Sequence, residues 1–581
     1  MAFAAVATYA NSLGNGFAFD DNWFIVLNDV VTEARYSDAF TEPAWPGAHE
    51  GTGNYRPVQL SSFALEWSLW GGSTVGFHVV SVAAHVGVSL LVLALLSHFV
   101  ALEAALVGVL FFAVHPVHVE AVANVMGRSE LYAALGYLGA CLVYLDLRGH
   151  GARERGVRLF GIVVLFLFAL GSKEIAVTLP GALVVLEWYR RDDTPAWPRI
   201  VREASTYVAV IGVLACYVLV RWTVLGDLTG ESAAPGLLSL DGTGRYLTAL
   251  TVWPHYLRLM VFPLDLSVDY APAVLLTTTT MTAEVILGGL LLLGAISVAL
   301  LLRRDAPAAA LGFAWFVVAI SPVSNLVVRS DILLAERTLY LPSVGAAFVV
   351  AAIGASVVSS GTKRMRKVGL IVAIVGGALL LSRTVLRNPT WLDTYTALGT
   401  LAVEHPESWL GQRTRATGLT RVGAYEEAAA AYEIALELAP DHYQLLVDAG
   451  VFYDDIGRAD RSEELLARAT ALLPGHPAAY RRLAEHRLLR GEGRAAHAIA
   501  LTGLARVGAD RELWALVSES YVAKSDLEAA VRARLASIAR DPTVAGWTRL
   551  SELLEAMDGT SEAEDARREA IRLRPGRGGA D

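Results

Sequence analysis

The sequence predicts an all-α protein in two physically different parts, a bundle of membrane-crossing helices followed by a solenoid of paired helices. Three observations carry this. The 581 residues are 54% hydrophobic and only 18% charged, with a mean hydropathy of +0.45, too apolar for a water-soluble chain of this size. Charge is also unevenly placed: 51 of the Lys, Arg, Asp and Glu residues fall in positions 1–384 and 54 in the 197 positions that follow. Charge density therefore doubles, from about 13% to about 27%, where the chain passes from one environment to the other. The third observation is that the charged part repeats itself at a fixed period. The net charge of −9 divides into −3 before position 384 and −6 after it, so neither part has the basic excess of a nucleic-acid binder, and nucleic acid is excluded as a partner. Cys141 and Cys216 sit in apolar runs and read as packing residues, which leaves no disulfide framework and no CxxC metal site.

Within 1–384, apolar runs long enough to cross about 30 Å of hydrocarbon recur at approximately 2–16, 76–98, 104–121, 131–147, 158–172, 175–188, 206–224, 283–302, 307–321, 339–359 and 368–384. This predicts about eleven spans. The stretch 245–262 carries Arg245, Pro254, His255 and Arg258 and reads as re-entrant or interfacial. The first run is short; a cleaved signal peptide is the bland alternative, but it has no basic residue before it and no clear cleavage site, and a start upstream of Met1 is expected. Basic residues accumulate on the cytoplasmic side of a membrane. Arg148, Arg153, Arg155, Arg158, Arg190, Arg191, Arg199, Arg202, Arg303, Arg304, Lys363, Arg364, Arg366 and Lys367 all fall on one side of this bundle. The long loop 18–75 falls on the other, with Arg35 and Arg56 against Asp20, Asp21, Asp29, Glu33, Asp38, Glu42, Glu50 and Glu66. The N-terminus is then cytoplasmic, and everything after 384 lies outside the cell membrane.

After Trp391 the period is about 34 residues, the length of a tetratricopeptide unit whose two helices bury their apolar face only against the next unit. Ala428, Tyr432, Ala435 and Pro440 mark one unit, and Gly450, Tyr453, Ala469 and Pro474 the next; weaker copies close near Asp510, at Pro542 and at Pro575. The expected organisation is a membrane domain over 1–384, a linker over 385–407, about five repeats over 408–576 and a tail over 577–581. Such a solenoid suits an extended peptide, but repeats alone do not identify a ligand.

Ionisable residues beside membrane helices are costly, so they are the first candidates for chemistry. Five clusters lie on the outer side. Phe19-Asp20-Asp21-Asn22 offers two carboxylates that raise one another's proton affinity, suited to a general base or, together, to a divalent cation. A capped loop end is the bland alternative. His115-Pro116-Val117-His118-Val119-Glu120 with Arg128 and Glu130 gathers imidazoles, carboxylates and a guanidinium, equally readable as an internal ion-pair cluster. Ser172-Lys173-Glu174 is pinned in a tight hairpin, Glu336-Arg337 enters a span, and Asn54-Tyr55-Arg56-Pro57 lies in the first loop. Arginine and lysine at this depth can hold a lipid-linked phosphate, though singly each is more often a headgroup anchor. His78 and His85, seven apart on one helix face, read first as packing. No HExxH, Walker A or GxSxG sequence occurs, which leaves metalloprotease, ATPase and serine hydrolase without support.

These motifs, in order with Gly76-Phe77-His78, Gly127-Arg128-Ser129-Glu130, Glu336-Arg337-Thr338-Leu339-Tyr340-Leu341-Pro342-Ser343 and Arg387-Asn388 through Trp391, together with the repeat tail, make nearly the whole chain resemble the transmembrane and tetratricopeptide repeat-containing O-mannosyltransferases and their prokaryotic relatives. The resemblance implies a GT-C fold, a polyprenyl-phosphate sugar donor, a protein acceptor and catalysis on the outer face. It maps the family's essential acidic pair onto Asp20 and Asp21. The implied reaction is a single inverting displacement. One of those carboxylates takes the proton of a Ser or Thr hydroxyl, and Arg128, Lys173, Arg337 and His115 are the expected phosphate ligands. His118, Glu120, Glu174, Glu336, Arg56, His78 and His85 are expected to support them. Transfer to an envelope glycan or lipid, and a silent scaffold whose repeats recruit envelope proteins, stay open as alternatives.

Overall fold

The computed structural model describes residues 1–45, 54–147, 151–190, 196–226, 237, 240–270, 275–330 and 332–573. Glu50, Arg148, Arg191, Pro575 and the tail 577–581 lie outside the described residues. All regular structure among the described residues is helical, and the chain divides into two compact units, Met1–Gly411 and Gln412–Asp581.

Among the described residues of the first unit, Leu-, Val- and Ala-rich sequence makes four helices long and apolar enough to cross a membrane, Thr74–Ser97, Ala204–Leu225, Ala283–Leu301 and Lys363–Trp391. A fifth is formed if Leu102–Ala113 and Pro116–Val122, bent by 50° at the break between them, count as one. Pro116 has no N–H to give the helix, which is why the break falls there. The other apolar runs are helical too: Arg128–Leu145 and Ala152–Leu170, of 18 and 19 residues, are long enough but charged in their first turns, and the rest are shorter or interrupted. Positions 2–16 fold as Ala2–Tyr9 followed by a 3-10 turn, Ala10–Gly14, and 175–188 opens with a 3-10 turn, Glu174–Thr178, before Leu179–Tyr189. Gly312 and Gly345 let Pro307–Ile320 and Ser343–Ser360 approach so closely that a Cβ on either would strike the other's carbonyl oxygen.

Three expectations change. The stretch 245–262, read as re-entrant or interfacial, is part of one continuous helix, Gly242–Val261, with Pro254 inside it rather than at a break. Val252, Trp253, Tyr256, Leu259 and Met260 bury one face against Leu266, Tyr270 and Ile320, which holds the helix together despite the hydrogen bond that the proline removes. Positions 385–407, expected as a linker, fold into the first unit as the end of Lys363–Arg387, the turn Asn388–Trp391 and the helix Thr394–Glu404, with Arg387, Asn388 and Trp391 buried. Cys141 is buried as a packing residue should be, whereas Cys216 is exposed on the apolar helix Ala204–Leu225.

The second unit is a row of helix pairs whose first helices start at Trp409, Tyr443, Pro477, Arg511 and Val544, 33 or 34 residues apart, as a tetratricopeptide solenoid requires. Ala428, Tyr432, Ala435, Tyr453 and Ala469 are buried where the repeat pattern put them. Gly450 is required by close packing, since a Cβ there would lie 2.8 Å from Leu466 Cγ. The turn within each pair uses a left-handed residue at the same register: Gly423, Gly457 and Gly491 have φ of 78, 77 and 76°, but Ser525 and Asp558 adopt 60 and 62° with a side chain present. A Cβ in that conformation is strained. Ser525→Gly is therefore expected to raise the solenoid's unfolding midpoint, a gain of about 0.5–1 kcal/mol. Calorimetry of the intact chain in detergent checks this, and an unchanged or lower midpoint contradicts it.

Candidate active site

The acidic pair is not symmetric. Asp21 is fully buried, and its two oxygens accept backbone N–H groups from two segments, Ala18 at 3.0 Å on Oδ2 and Met126 at 2.6 Å on Oδ1. Burial pushes its carboxyl up to about 7 against the pull of those N–H groups. Asp21 therefore fastens the first loop to the segment 115–130. Asp20 is half-buried, two residues before a five-residue π-helix, Asn22–Val26, and directly after Phe19, whose φ of 51° is rare for a bulky residue. Each Asp21 oxygen thus has a backbone donor. Among the described residues no group of three His, Cys, Asp or Glu side chains converges on a metal position.

Cations and carboxylates alternate around Asp20. Glu120 is buried and accepts both the backbone N–H of Arg337, at 2.8 Å, and its guanidinium. The charges of Asp20, Glu120 and Glu130 all act on Arg337, whose Nε is buried with no partner. Lys173 Nζ sits 2.6 Å from Glu130 Oε1, and burial lowers its ammonium below the usual lysine range while Glu130 opposes the shift. Arg56 Nη2 lies 3.0 Å from both Glu174 Oε2 and Asn54 Oδ1, and its Nη1 has no partner. Arg221 closes the group, 3.1 Å from Glu174 Oε1. Burial raises the Glu174 carboxyl, but Arg56 and Arg221 outweigh it and hold the group down to about 2.

Other expected ligands lie elsewhere. Arg128 is completely enclosed, paired with Glu66, donating to Ser81 Oγ at 3.1 Å and to the Phe77 carbonyl, with its guanidinium 5.0 Å from the Phe63 ring centre. Each of its three nitrogens already has a partner. His115 is likewise closed: Val117 N–H donates to Nδ1 and Nε2–H donates to the Met260 carbonyl, each at 3.2 Å. His85 donates from Nε2 to the Ala113 carbonyl at 3.1 Å and accepts the Tyr340 hydroxyl at 2.7 Å. His118 reaches Ser343 Oγ at 2.9 Å, and His78 the Gly16 carbonyl at 3.3 Å. The packing alternative for His78 and His85 thus has a geometric account in buried imidazoles tied to backbone or hydroxyl. Glu336 Oε1 accepts Ser267 N–H at 2.6 Å and the Tyr270 hydroxyl at 2.8 Å, and burial pushes that carboxyl up to about 8. Sequence reasoning missed Arg221, although it is the one charged residue in the apolar run 206–224, the signal that intramembrane charge provides.

The fold and site define a class: a helical protein with membrane-length spans, tetratricopeptide repeats, and a carboxylate set among paired cations at its first loop. The chain is similar to curated protein O-mannosyl-transferases of the transmembrane and tetratricopeptide repeat-containing kind, in line with the ordered motifs. It is 28% identical to Protein O-mannosyl-transferase TMTC4 of Homo sapiens over 67% of this chain and 59% of that protein. It is 26% identical to Protein O-mannosyl-transferase F38B6.6 of Caenorhabditis elegans over 67% and 54%, and 27% identical to TMTC1 of Homo sapiens over 79% and 57%. The chain thus spans a little over half the length of these relatives. No family profile matches it. Among solved structures, MamA of Desulfovibrio magneticus RS-1 aligns at 18% identity and a TM-score of 0.26 over 29% of this chain and 96% of that one. A thermophilic TPR protein of Thermus thermophilus aligns at 17% identity and 0.26 over 29% and 93%.

The buried proton on Glu336 has a measurable consequence. The folded protein holds it up to about pH 8, whereas an unfolded chain releases it near 4.5, so its contribution to stability is complete below pH 4.5 and fades as pH rises to 8. Glu336→Gln keeps a carbonyl oxygen for both donors and does not ionise. Thermal unfolding in detergent should show the variant gaining on the parent between pH 4.5 and about 8; parallel curves would refute the assignment.

Proposed function

We propose that this chain is a membrane glycosyltransferase that moves a hexose, mannose by the names of its relatives, from a polyprenyl-phosphate donor to Ser or Thr hydroxyls of a protein at the extracytoplasmic face. The asymmetry of the acidic pair is the observation that carries the reading: Asp21 is fully buried with both oxygens on backbone N–H groups, whereas Asp20 is only half-buried and its charge acts on Arg337, whose Nε has no partner. Asp20 acts as general base. It takes the hydroxyl proton of the acceptor as that oxygen bonds to the anomeric carbon, and the bond from that carbon to the lipid phosphate oxygen breaks, inverting the centre. Arg337 takes the departing phosphate, with Lys173 and Arg56 on the same side. Arg128 and His115 have no part in phosphate binding and serve the fold.

The distribution of basic residues supports an N-terminus in the cytoplasm of a cell-membrane protein, with loop 18–75 and the repeats outside. The solenoid then handles the protein acceptor on the side where sugar is transferred. Lipid-linked donors and membrane lipids are the remaining partners.

Three measurements test this. Asp20→Asn should cut mannose transfer from a polyprenyl-phosphate donor to a Ser/Thr peptide by about 10²–10⁴-fold, and full activity in that variant would sink the reading. Arg337→Gln should raise the donor KM as well as lower kcat. In a deletion strain, hexose should disappear from Ser and Thr peptides; an intact glycoproteome with altered envelope polysaccharide would move the acceptor to a glycan or lipid.

A further inference from the structure

The motif at Arg387-Asn388 through Trp391 does not reach the charged cluster with its own side chains, yet it and the residues after it are laced to the segment that carries Asp20. Asn11 Nδ2 donates to the Val385 carbonyl at 2.8 Å, and Asn15 Nδ2 to the Asn388 carbonyl at 3.1 Å. Asn388 Nδ2 in turn donates to the Thr8 carbonyl at 2.9 Å and to Asn11 Oδ1 at 2.6 Å. Gly16 N–H donates to the Leu392 carbonyl at 2.7 Å, and a Cβ at position 16 would lie 3.1 Å from that oxygen. The last contact bears on chemistry. The Thr394 hydroxyl accepts both Phe19 N–H, at 2.8 Å, and Asn22 Nδ2, at 3.0 Å, so one oxygen holds the chain on either side of Asp20 and Asp21.

We infer that Thr394 is a positioning residue for Asp20, holding the Phe19 backbone in its left-handed conformation so that the carboxylate is presented at the cation cluster. The inference rests on Asp20 being the base. Phe19 at a φ of 51° is a strained residue that persists only where its surroundings over-determine it. Two devices do so. Asp21 captures Ala18 N–H from within the turn, and Thr394 captures Phe19 N–H from outside it. Thr394 is itself fixed, as the first residue of Thr394–Glu404, a helix whose cap Asp393 accepts Thr396 N–H at 2.7 Å. Without the hydroxyl, Phe19 N–H and Asn22 Nδ2 lose their common acceptor, and the turn has reason to relax toward negative φ. Asp20 is then displaced while the cation cluster keeps its own ion pairs.

The test uses the full chain in detergent or nanodiscs, with Thr394→Val, Thr394→Ser and Asp20→Asn assayed for transfer from polyprenyl-phosphate mannose to a Ser/Thr peptide. Valine matches the shape of threonine without its acceptor, and should lower kcat about tenfold with the donor KM and the thermal midpoint unchanged. Serine restores the acceptor and should restore kcat. Parental kcat in T394V while D20N is inactive overturns the positioning role alone; an active D20N overturns the base. If T394V loses thermal stability, Asn22→Ala removes one of the two donors to the same oxygen, and an unaltered kcat there also overturns the role.

Discussion

A charge withdrawn from water must be met by its opposite, and the first unit is organised around such meetings. Arg128 with Glu66, Arg337 with Glu120, Lys173 with Glu130, and Arg56 and Arg221 with Glu174 are buried or nearly so. Each lone ion would cost several kcal/mol, so losing one partner is far worse than never having had the pair. The partners come from segments distant in sequence, and the pairs therefore fix how the first loop, the hairpin at Lys173 and the segment before Ser343 come together. Apolar packing alone is far less particular about register.

The pairs are graded from sealed to open, and the grading separates structural from chemical residues. The Arg128 side chain is wholly enclosed and all three of its nitrogens are engaged. The Arg337 side chain is 11% exposed and retains an unpartnered Nε, and Arg56 retains Nη1. A donor with no partner in a poorly hydrated site is costly, and that cost is relieved when an anion arrives. The acidic pair repeats the pattern one residue apart: Asp21 is sealed by backbone N–H groups, while Asp20 stays within reach.

The large features were legible in the sequence because they are periodic. Hydropathy marks the long helices, and a spacing of 34 residues marks the repeats, since both reflect burial repeated along the chain. Residue roles inside the site were less legible. Asp20 and Asp21 are chemically identical in a string of letters, and only the folded backbone distinguishes them. Arg128 and Arg337 also look alike, because their difference lies in Glu66, Ser81 and Phe77 closing around one of them. Pro254 suggested a break that tertiary packing overrides. Thr394 gave no signal of its own, being a common residue whose partner, Phe19, lies 375 positions away.

The segment after the last long helix gives these pieces a common reference. On one side Thr394 and Asn388 bind the segment that carries Asp20. On the other, Arg387, itself paired with Glu404 at 2.6 Å, acts electrostatically on Glu336, the chain neighbour of Arg337. Asp20, proposed as the base, and Arg337, proposed as the phosphate ligand, are thus both referred to one folded stretch, 385–404. An inverting displacement needs its base and its leaving-group partner on opposite sides of one carbon, at a separation that a misplacement of about 1 Å would spoil. A short rigid stretch touching both arms limits that error better than two loops held independently. This explains why a part of the chain that contributes no group to the reaction is buried and hydrogen-bonded as thoroughly as the site itself.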